Sequence, residues 1–412
     1  MANSHEVSGA TTVTVQDGNV TSPCGFTAAG VDAGVKKPGV LDMAMIQSDR
    51  PATAAGVYTT NKVQAAPLKV TREHIAAGPL RAVVINAGNA NACTGEQGER
   101  DARRMAEATA GALGLQPQEV AVASTGVIGK PMPMGVIEAG IARLAGALAV
   151  DGGTVAAEAI MTTDTEPKTG KVEWRIGDQQ VTIGGMAKGS GMIHPNMATM
   201  LGFFTTDVQI APALLQKALQ RAAQVSFNMV SVDGDTSTND MALILANGAA
   251  GAPAIETEGP LYDQFVQALT ALAIHLAKAI ARDGEGATKL IEVCVRGAKT
   301  EASAAQAARA VAASTLFKAA VFGNDANWGR ILCAVGYSGA DFDPAKVDVY
   351  LGHVQTAAQG QALDFSEAEA LTVLQKREVR VTVDLHDGDA TATAWGCDLT
   401  VDYVHINADY RT

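Results

Sequence analysis

The chain has 412 residues, 47% hydrophobic and 18% charged, a balance that describes a folded globular protein and excludes a disordered one. Its formal net charge is −12 and no cluster of Lys and Arg is present, which excludes a general nucleic-acid binder, because phosphate binding needs such clusters. The five cysteines, Cys24, Cys93, Cys294, Cys333 and Cys397, are odd in number, widely spaced and without a C-x-x-C, so neither a disulfide framework nor a zinc site is expected.

The length suits two structural halves. The N-terminal "MANSHEVSGATTVTVQDGN" is polar and lacks the apolar core of a secretory signal. No run of about 18 apolar residues occurs, so no membrane span is expected, and the expected location is the cytoplasm. In chain order, "RAVVIN" (81–86) predicts a strand from its β-branched content and short length. "ERDARRMAEATAGALGL" (99–115) predicts a helix with charges on one face and Met, Ala and Leu on the other. "EVAVAS" (119–124) reads as a strand, 133–149 as a helix, and 151–170 as a helix followed by a loop. The stretch 184–198 reads as a loop, through Gly184, Gly185, Gly189, Gly191 and Pro195. Beyond it come helices over 211–224, 261–282 and 303–321, and strands over 241–247, 290–297 and 378–385. Strands and helices mix without a strict βαβ rhythm, which predicts an α+β or layered α/β fold of open topology. No repeat of 20–50 residues is present, so solenoids and propellers are excluded.

Several stretches carry possible chemistry. "GGMAKGSG" (184–191) has the flavour of a phosphate loop, but Lys188 precedes Gly189 instead of following the last glycine, and the motif fails. Taken alone, it is a flexible surface loop with a solvated lysine. "SVDGDTSTND" (231–240) spaces Asp233, Asp235 and Asp240 like a calcium loop, but Gly234 falls between the first two acids, so a turn-rich loop is the simpler reading. In "RDGEGATK" (282–289), Glu285 sits between Gly284 and Gly286, which lets the backbone present its carboxylate in an unusual direction. "VASTGVIGKPM" (122–132) offers the Thr125 hydroxyl beside the unobstructed N–H of Gly126, a pair able to form an oxyanion hole or simply a strand-to-helix turn. Histidines are few, and no G-x-S-x-G sits at a strand-to-helix turn, so nothing marks a Ser-His-Asp triad.

Taken together, the stretches "GFTAAGVDAGVKK" (25–37), "NAGNANACTG" (86–95), "STGVIG" (124–129), "IMTTDT" (160–165) and "AKGSGMIHPNMATML" (187–201) resemble the ornithine acetyltransferases of arginine biosynthesis, self-cleaving N-terminal-nucleophile enzymes. The resemblance continues through "SVDGDTSTND" (231–240), "RDGEGATK" (282–289), "FGNDANWGRI" (322–331) and "HINADYRT" (405–412), and so spans nearly the whole chain. It implies packed β layers with outer helices, a fold shared with related self-processing aminopeptidases. It implies self-cleavage between Ala198 and Thr199, giving an α chain of 1–198 and a β chain of 199–412, assembled as an α2β2 heterotetramer. The Thr199 hydroxyl would attack the Ala198 carbonyl in an N→O acyl shift, and water would release the ester. The freed α-amine, whose kind ordinarily titrates at ~7.7–8.0, would then act as base for its own hydroxyl, so no histidine is needed.

By the same resemblance, Thr125 and Gly126 match the oxyanion pair. Thr162, Lys188, Thr199, Glu285, Asn407 and Thr412 match substrate-contacting positions. The Lys188 ammonium would lower the pKa of the Thr199 amine. Glu285 would pair with a substrate amino group. Asn407 and Thr412 belong to a tail that looks frayed when judged from composition alone. The implied reaction moves acetyl from N2-acetyl-L-ornithine to L-glutamate through an acetyl-Thr199 ester, with no cofactor or metal; acetyl-CoA is a possible second acetyl donor. A related self-processing aminopeptidase or amidohydrolase is the alternative, and a silent binding protein on the same fold is a third reading.

Overall fold

A computed structural model describes residues 13–194 and 200–409. The polar stretch at the extreme N-terminus and the Ala198–Thr199 junction lie outside these residues. In chain order the strands are β1 (Phe26–Val31), β2 (Met43–Tyr58), β3 (Leu80–Asn89), β4 (Val120–Val127), β5 (Lys168–Ile176), β6 (Gln179–Lys188), β7 (Leu201–Thr206), β8 (Val230–Ser231) and β9 (Met241–Ala246). They continue as β10 (Leu290–Ala298), β11 (Asp348–Leu351), β12 (Val354–Ala358), β13 (Gln361–Ala362), β14 (Glu378–Asp384) and β15 (Ala390–Cys397). The helices are α1 (Ala66–Ala77), α2 (Gly95–Leu113), α3 (Met134–Ala147), α4 (Gly153–Ala159), α5 (Pro212–Gln224) and α6 (Pro260–Arg282). After them come α7 (Glu301–Ala313), α8 (Thr315–Phe322), α9 (Trp328–Gly336), α10 (Glu367–Leu374) and α11 (Val401–Asp409).

The fold is α+β, with two mixed sheets and helices packed on them. The larger sheet has the order β4-β3-β2-β9-β7-β6-β5, with β1 added to β2; the smaller runs β13-β12-β11-β14-β10-β15-β8. Strand β2 serves the larger sheet twice. Its first half pairs with β1 and β3, and after a register break beyond Gln47 its second half, Thr53–Tyr58, pairs with β9. Helix α6 packs on β5 and β6 of the larger sheet and on β15 and β10 of the smaller. Its buried side chains, Phe265, Leu269, Leu272, Leu276 and Ile280, recur every three or four residues and form one stripe. Each such burial contributes roughly 1.5–3 kcal/mol. Among the described residues α6 is long and apolar enough to cross a membrane by length and composition, but that stripe lies inside the fold, as expected of a core helix.

Three expectations need correction. Residues 184–188 are not loop but the end of β6, buried throughout. The glycines misled because they serve packing. A Cβ on Gly184 would collide with the Asn19 backbone, and one on Gly185 would press on Leu276 and Phe204. The helix expected over 303–321 is broken at Ser314, which caps α8 by accepting from the Phe317 N–H at 3.3 Å. The end of the stretch 151–170, taken as loop, already starts β5 at Lys168.

Candidate active site

Five separate elements converge on one cavity. Strand β4 carries Thr125 and Gly126 just before its last residue, and β6 ends on Lys188. The segment after α4 carries Thr162, the turn after α6 carries Glu285, and α11 carries Asn407. These residues line one cavity of about 140 Å³, together with Thr163, Gly191 and Met192. Ile128, Asp233, Asp235, Ser237, Asn239 and Tyr403 complete its wall. Ala198, Thr199 and Thr412 lie outside the described residues. A larger cleft of about 620 Å³ shares none of these side chains, and its charged groups, such as Glu292 with Arg380 and Arg221 with Glu301, pair with one another.

Gly126 is required by the fold before any chemistry is considered. Its φ is +130°, and an added Cβ would run into the backbone of Gly88 and Asn89 on the paired strand β3. Thr125 and Gly126 also line the cavity. Thr125 itself is 3% exposed.

Lys188 is not solvated. It is 3% exposed, its Nζ donates to Thr162 Oγ1 at 2.8 Å, and it lies 3.7 Å from Asp164 Oδ2. Asp164 anchors a buried ionic chain. Lys168 Nζ bridges Asp164 Oδ1 at 2.8 Å and Asp283 Oδ2 at 2.6 Å. Asp164 also accepts from the N–H of Thr162 at 2.9 Å and of Gly189 at 2.6 Å. Burial alone would raise the Asp164 pKa, but the Lys188 and Lys168 ammonium groups outweigh it and hold the carboxyl well below the usual carboxylate range. Asp283 also binds the Thr165 hydroxyl and N–H, and its carbonyl accepts from Ser190 Oγ at 2.6 Å. The Ser190 carbonyl in turn accepts from the Glu285 N–H at 3.1 Å. One connected network therefore positions both the ammonium and the carboxylate of the site. Lys36 extends it, donating to the carbonyl of Met161 at 2.6 Å, next to Thr162.

Glu285 is 6% exposed, and Gly286 after it has φ +67°, so the flanking glycine does supply an unusual backbone direction. Asn407 Nδ2 donates to Glu285 Oε2 at 2.7 Å. The tail that looks frayed in the sequence is thus a helix. Thr400 fastens its start, donating to the Gly286 carbonyl at 2.8 Å and accepting from the Tyr403 N–H at 3.3 Å. Burial, with the nearby carboxylates of Asp233, Glu285 and Asp235, pushes the Tyr403 phenol well up. The cavity thus sets one ammonium, Lys188, against the carboxylates of Glu285, Asp233 and Asp235, a charge pattern that suits a small zwitterion.

Sequence reasoning missed Lys36, Asp164, Lys168 and Asp283. The four-residue spacing of Asp164 and Lys168 was a weak sign of pairing, but Asp283 is far along the chain and only the fold brings it in. Asp233 and Asp240 belong to the stretch whose spacing fails the calcium-loop pattern. Their carboxylates instead accept from backbone N–H groups, Asp233 from Met192 and Ile193 and Asp240 from Met200.

Comparison with known proteins places this geometry in a lineage. The ArgJ family matches residues 27–412. The arginine biosynthesis bifunctional protein ArgJ of Symbiobacterium thermophilum is 60% identical over 397 residues, covering 96% of this chain and 99% of that protein. The protein of the same name from Caldanaerobacter subterraneus is 50% identical over 402 residues, covering 97% and 100%. A crystal structure of ArgJ from Bacillus halodurans, 47% identical, aligns with 50% of this chain and 98% of its own at a TM-score of 0.49. Identity at that level along almost the full length of both sequences, with a family match that takes in every described cavity residue, makes this chain a member of the ArgJ family.

Proposed function

We propose that the chain is a glutamate N-acetyltransferase that takes acetyl from N2-acetyl-L-ornithine and gives it to L-glutamate, releasing L-ornithine and N-acetyl-L-glutamate. Its relatives are named arginine biosynthesis bifunctional proteins. The second activity we assign is formation of N-acetylglutamate from acetyl-CoA and glutamate in the same cavity. The enzyme works in the cytoplasm without cofactor or metal, as an α2β2 assembly of residues 1–198 and 199–412. The observation that carries the reading is the meeting of Thr125, Gly126, Thr162 and Lys188, from before the Ala198–Thr199 junction, with Glu285 and Asn407, from after it, around one cavity.

Maturation comes first. Thr199 Oγ attacks the Ala198 carbonyl, the C–N bond breaks as the C–O ester forms, and the hydroxyl proton ends on the new amine. Water then hydrolyses the ester. In the mature enzyme the Thr199 amine takes the hydroxyl proton as Oγ attacks the acetyl carbonyl. Thr125 and Gly126 donate to the oxyanion. Lys188, held by Thr162 and Asp164, disfavours protonation of the amine. Glu285 and Asn407 take the amino-acid part of each substrate in turn, and by the resemblance Thr412 is a further substrate-contacting position. The acetyl–N2 bond breaks and ornithine leaves with the proton held by the Thr199 amine; the glutamate amine then attacks the ester, the C–O bond to Thr199 breaks, and the proton that the glutamate amine sheds returns through the Thr199 amine to Oγ.

The test is kinetic. With acetylornithine alone, ornithine appears in a burst of about one per site, and mass spectrometry finds one acetyl group on Thr199 of the β chain. Initial rates against both substrates give parallel double-reciprocal lines. Intersecting lines with no acetylated chain overturn the covalent route. Ornithine release that glutamate does not accelerate makes the protein a hydrolase of the aminopeptidase kind.

A further inference from the structure

The loop between β8 and β9 contributes to the cavity wall, and three of its acids stand out in the sequence. Two of those acids grip the chain on either side of the segment 194–199. On the near side, Asp233 Oδ2 accepts from the Met192 N–H at 2.5 Å and Oδ1 from the Ile193 N–H at 2.9 Å. The Ile193 carbonyl answers by accepting from the Val232 N–H at 2.8 Å. On the far side, Asp240 Oδ1 accepts from the Met200 N–H at 3.0 Å, and the Met200 carbonyl accepts from the Met241 N–H at 3.1 Å. Each flank therefore has a carboxylate on its N–H groups and a backbone bond on its carbonyl, and both carboxylates come from one short loop. Met192 needs such a grip, since its φ of +57° is costly for a residue with a side chain.

The same loop is tied to the oxyanion strand. Asn239 Nδ2 donates to the Ser124 carbonyl at 2.5 Å, next to Thr125, and its Oδ1 accepts from Ser237 Oγ at 2.7 Å. The Thr59 N–H donates to the Asp240 carbonyl at 3.0 Å and fixes the loop end to the strand β2 exit. The loop thus connects the two ends of the scissile segment with the turn meant to receive the oxyanion.

We infer that the β8–β9 loop is a maturation clamp, in which Asp233 and Asp240 are positioning residues that hold the two flanks of the Ala198–Thr199 junction in register with Thr125. This rests on the self-cleavage proposed above. An intramolecular attack is fast only when nucleophile and carbonyl are held near reacting geometry, and clamping both ends of a six-residue segment removes most of its freedom to stray.

The two carboxylates differ in a way that an experiment can read. Both oxygens of Asp233 accept, and an amide has only one acceptor oxygen, so Asp233→Asn must turn an NH2 toward an N–H. Asp240 uses one oxygen on the flank, which an asparagine supplies equally well. Full-length chains are synthesised, and conversion of one band to two is followed on denaturing gels, with Thr199→Ala as a control. Asp233→Asn is expected to slow conversion by roughly tenfold or more, the usual effect of losing a hydrogen bond to a charged group. Asp240→Asn is expected to convert near the normal rate, and Asp240→Ala slowly. Asp233→Asn converting at the normal rate, or Asp240→Asn as slow as Asp240→Ala, overturns the clamp. Cleavage of Thr199→Ala at the same bond instead overturns self-cleavage itself, and the two failures are read in separate lanes.

Discussion

Replacing Asp164 by asparagine tests the buried network on which the site rests. The Asp164 side chain is wholly enclosed and accepts from Lys168 Nζ and from two backbone N–H groups, with Lys188 Nζ at 3.7 Å. Asparagine keeps one acceptor but loses the charge. Among the described residues, Lys168 is left with Asp283 as its only carboxylate partner, and Lys188 is left with the Thr162 hydroxyl. Breaking a buried pair by removing one partner costs about 3–5 kcal/mol, because a buried cation is left uncompensated. An orphaned Thr162 or Gly189 N–H adds about 1–3 kcal/mol. The Asp164 pKa is depressed in the fold, so its stabilisation is full above the ordinary carboxylate pKa and fades only as pH falls well below it; neutral pH shows the whole effect. Urea unfolding of the variant at pH 7 should give a loss of at least ~3 kcal/mol. Because Thr162 and Lys188 lose their anchor, kcat/KM for acetylornithine should fall by at least about tenfold. A double variant, Asp164→Leu with Lys168→Met, should be less destabilised than the sum of its parts, since the uncompensated charge is removed with its partner. A variant Asp164→Asn within ~1 kcal/mol of wild type and with normal kcat/KM would refute the reasoning.

Two more predictions concern Gly191 and Glu292. A Cβ on Gly191 would fall within contact distance of the Glu285 carboxylate, so Gly191→Ala should displace Glu285 and raise KM for glutamate by roughly tenfold, with a stability loss of about 1–3 kcal/mol; an unchanged KM would detach Glu285 from substrate binding. Burial opposes ionisation of Glu292, but hydrogen bonds from Lys278 and Trp395 and the Arg380 charge outweigh it and bring its pKa down to about 2. Its stabilisation is therefore present above the unfolded pKa and lost as pH falls through about 2, and Glu292→Gln should cost roughly 2 kcal/mol at pH 7 after allowance for solvent screening and about half that at pH 3; an equal gap at both pH values in denaturant titrations would contradict the pairing.

The sequence by itself determined what depends on near neighbours. The stripe of α6 and the two faces of α2 follow from a 3.6-residue period, and strands such as β3 and β10 follow from short β-branched runs. It also determined family membership, because long ordered motifs such as 187–201 and 231–240 carry that information without coordinates. Tertiary structure alone decided the state of Lys188. A lysine among glycines looks solvated until Asp164, Lys168 and Asp283 arrive from elsewhere in the chain to make its burial tolerable. It decided that Gly184 and Gly185 belong to a strand, since their reason is the close approach of Asn19 and of α6, which no local pattern records. It turned the apparently frayed tail into a helix, because α11 is fastened through Thr400 and Asn407 to the Glu285 turn more than a hundred residues away. Local periodicity reports local burial, whereas a buried charge or a close-packed glycine depends on partners brought in by long-range folding, and those partners leave no mark at the residue itself.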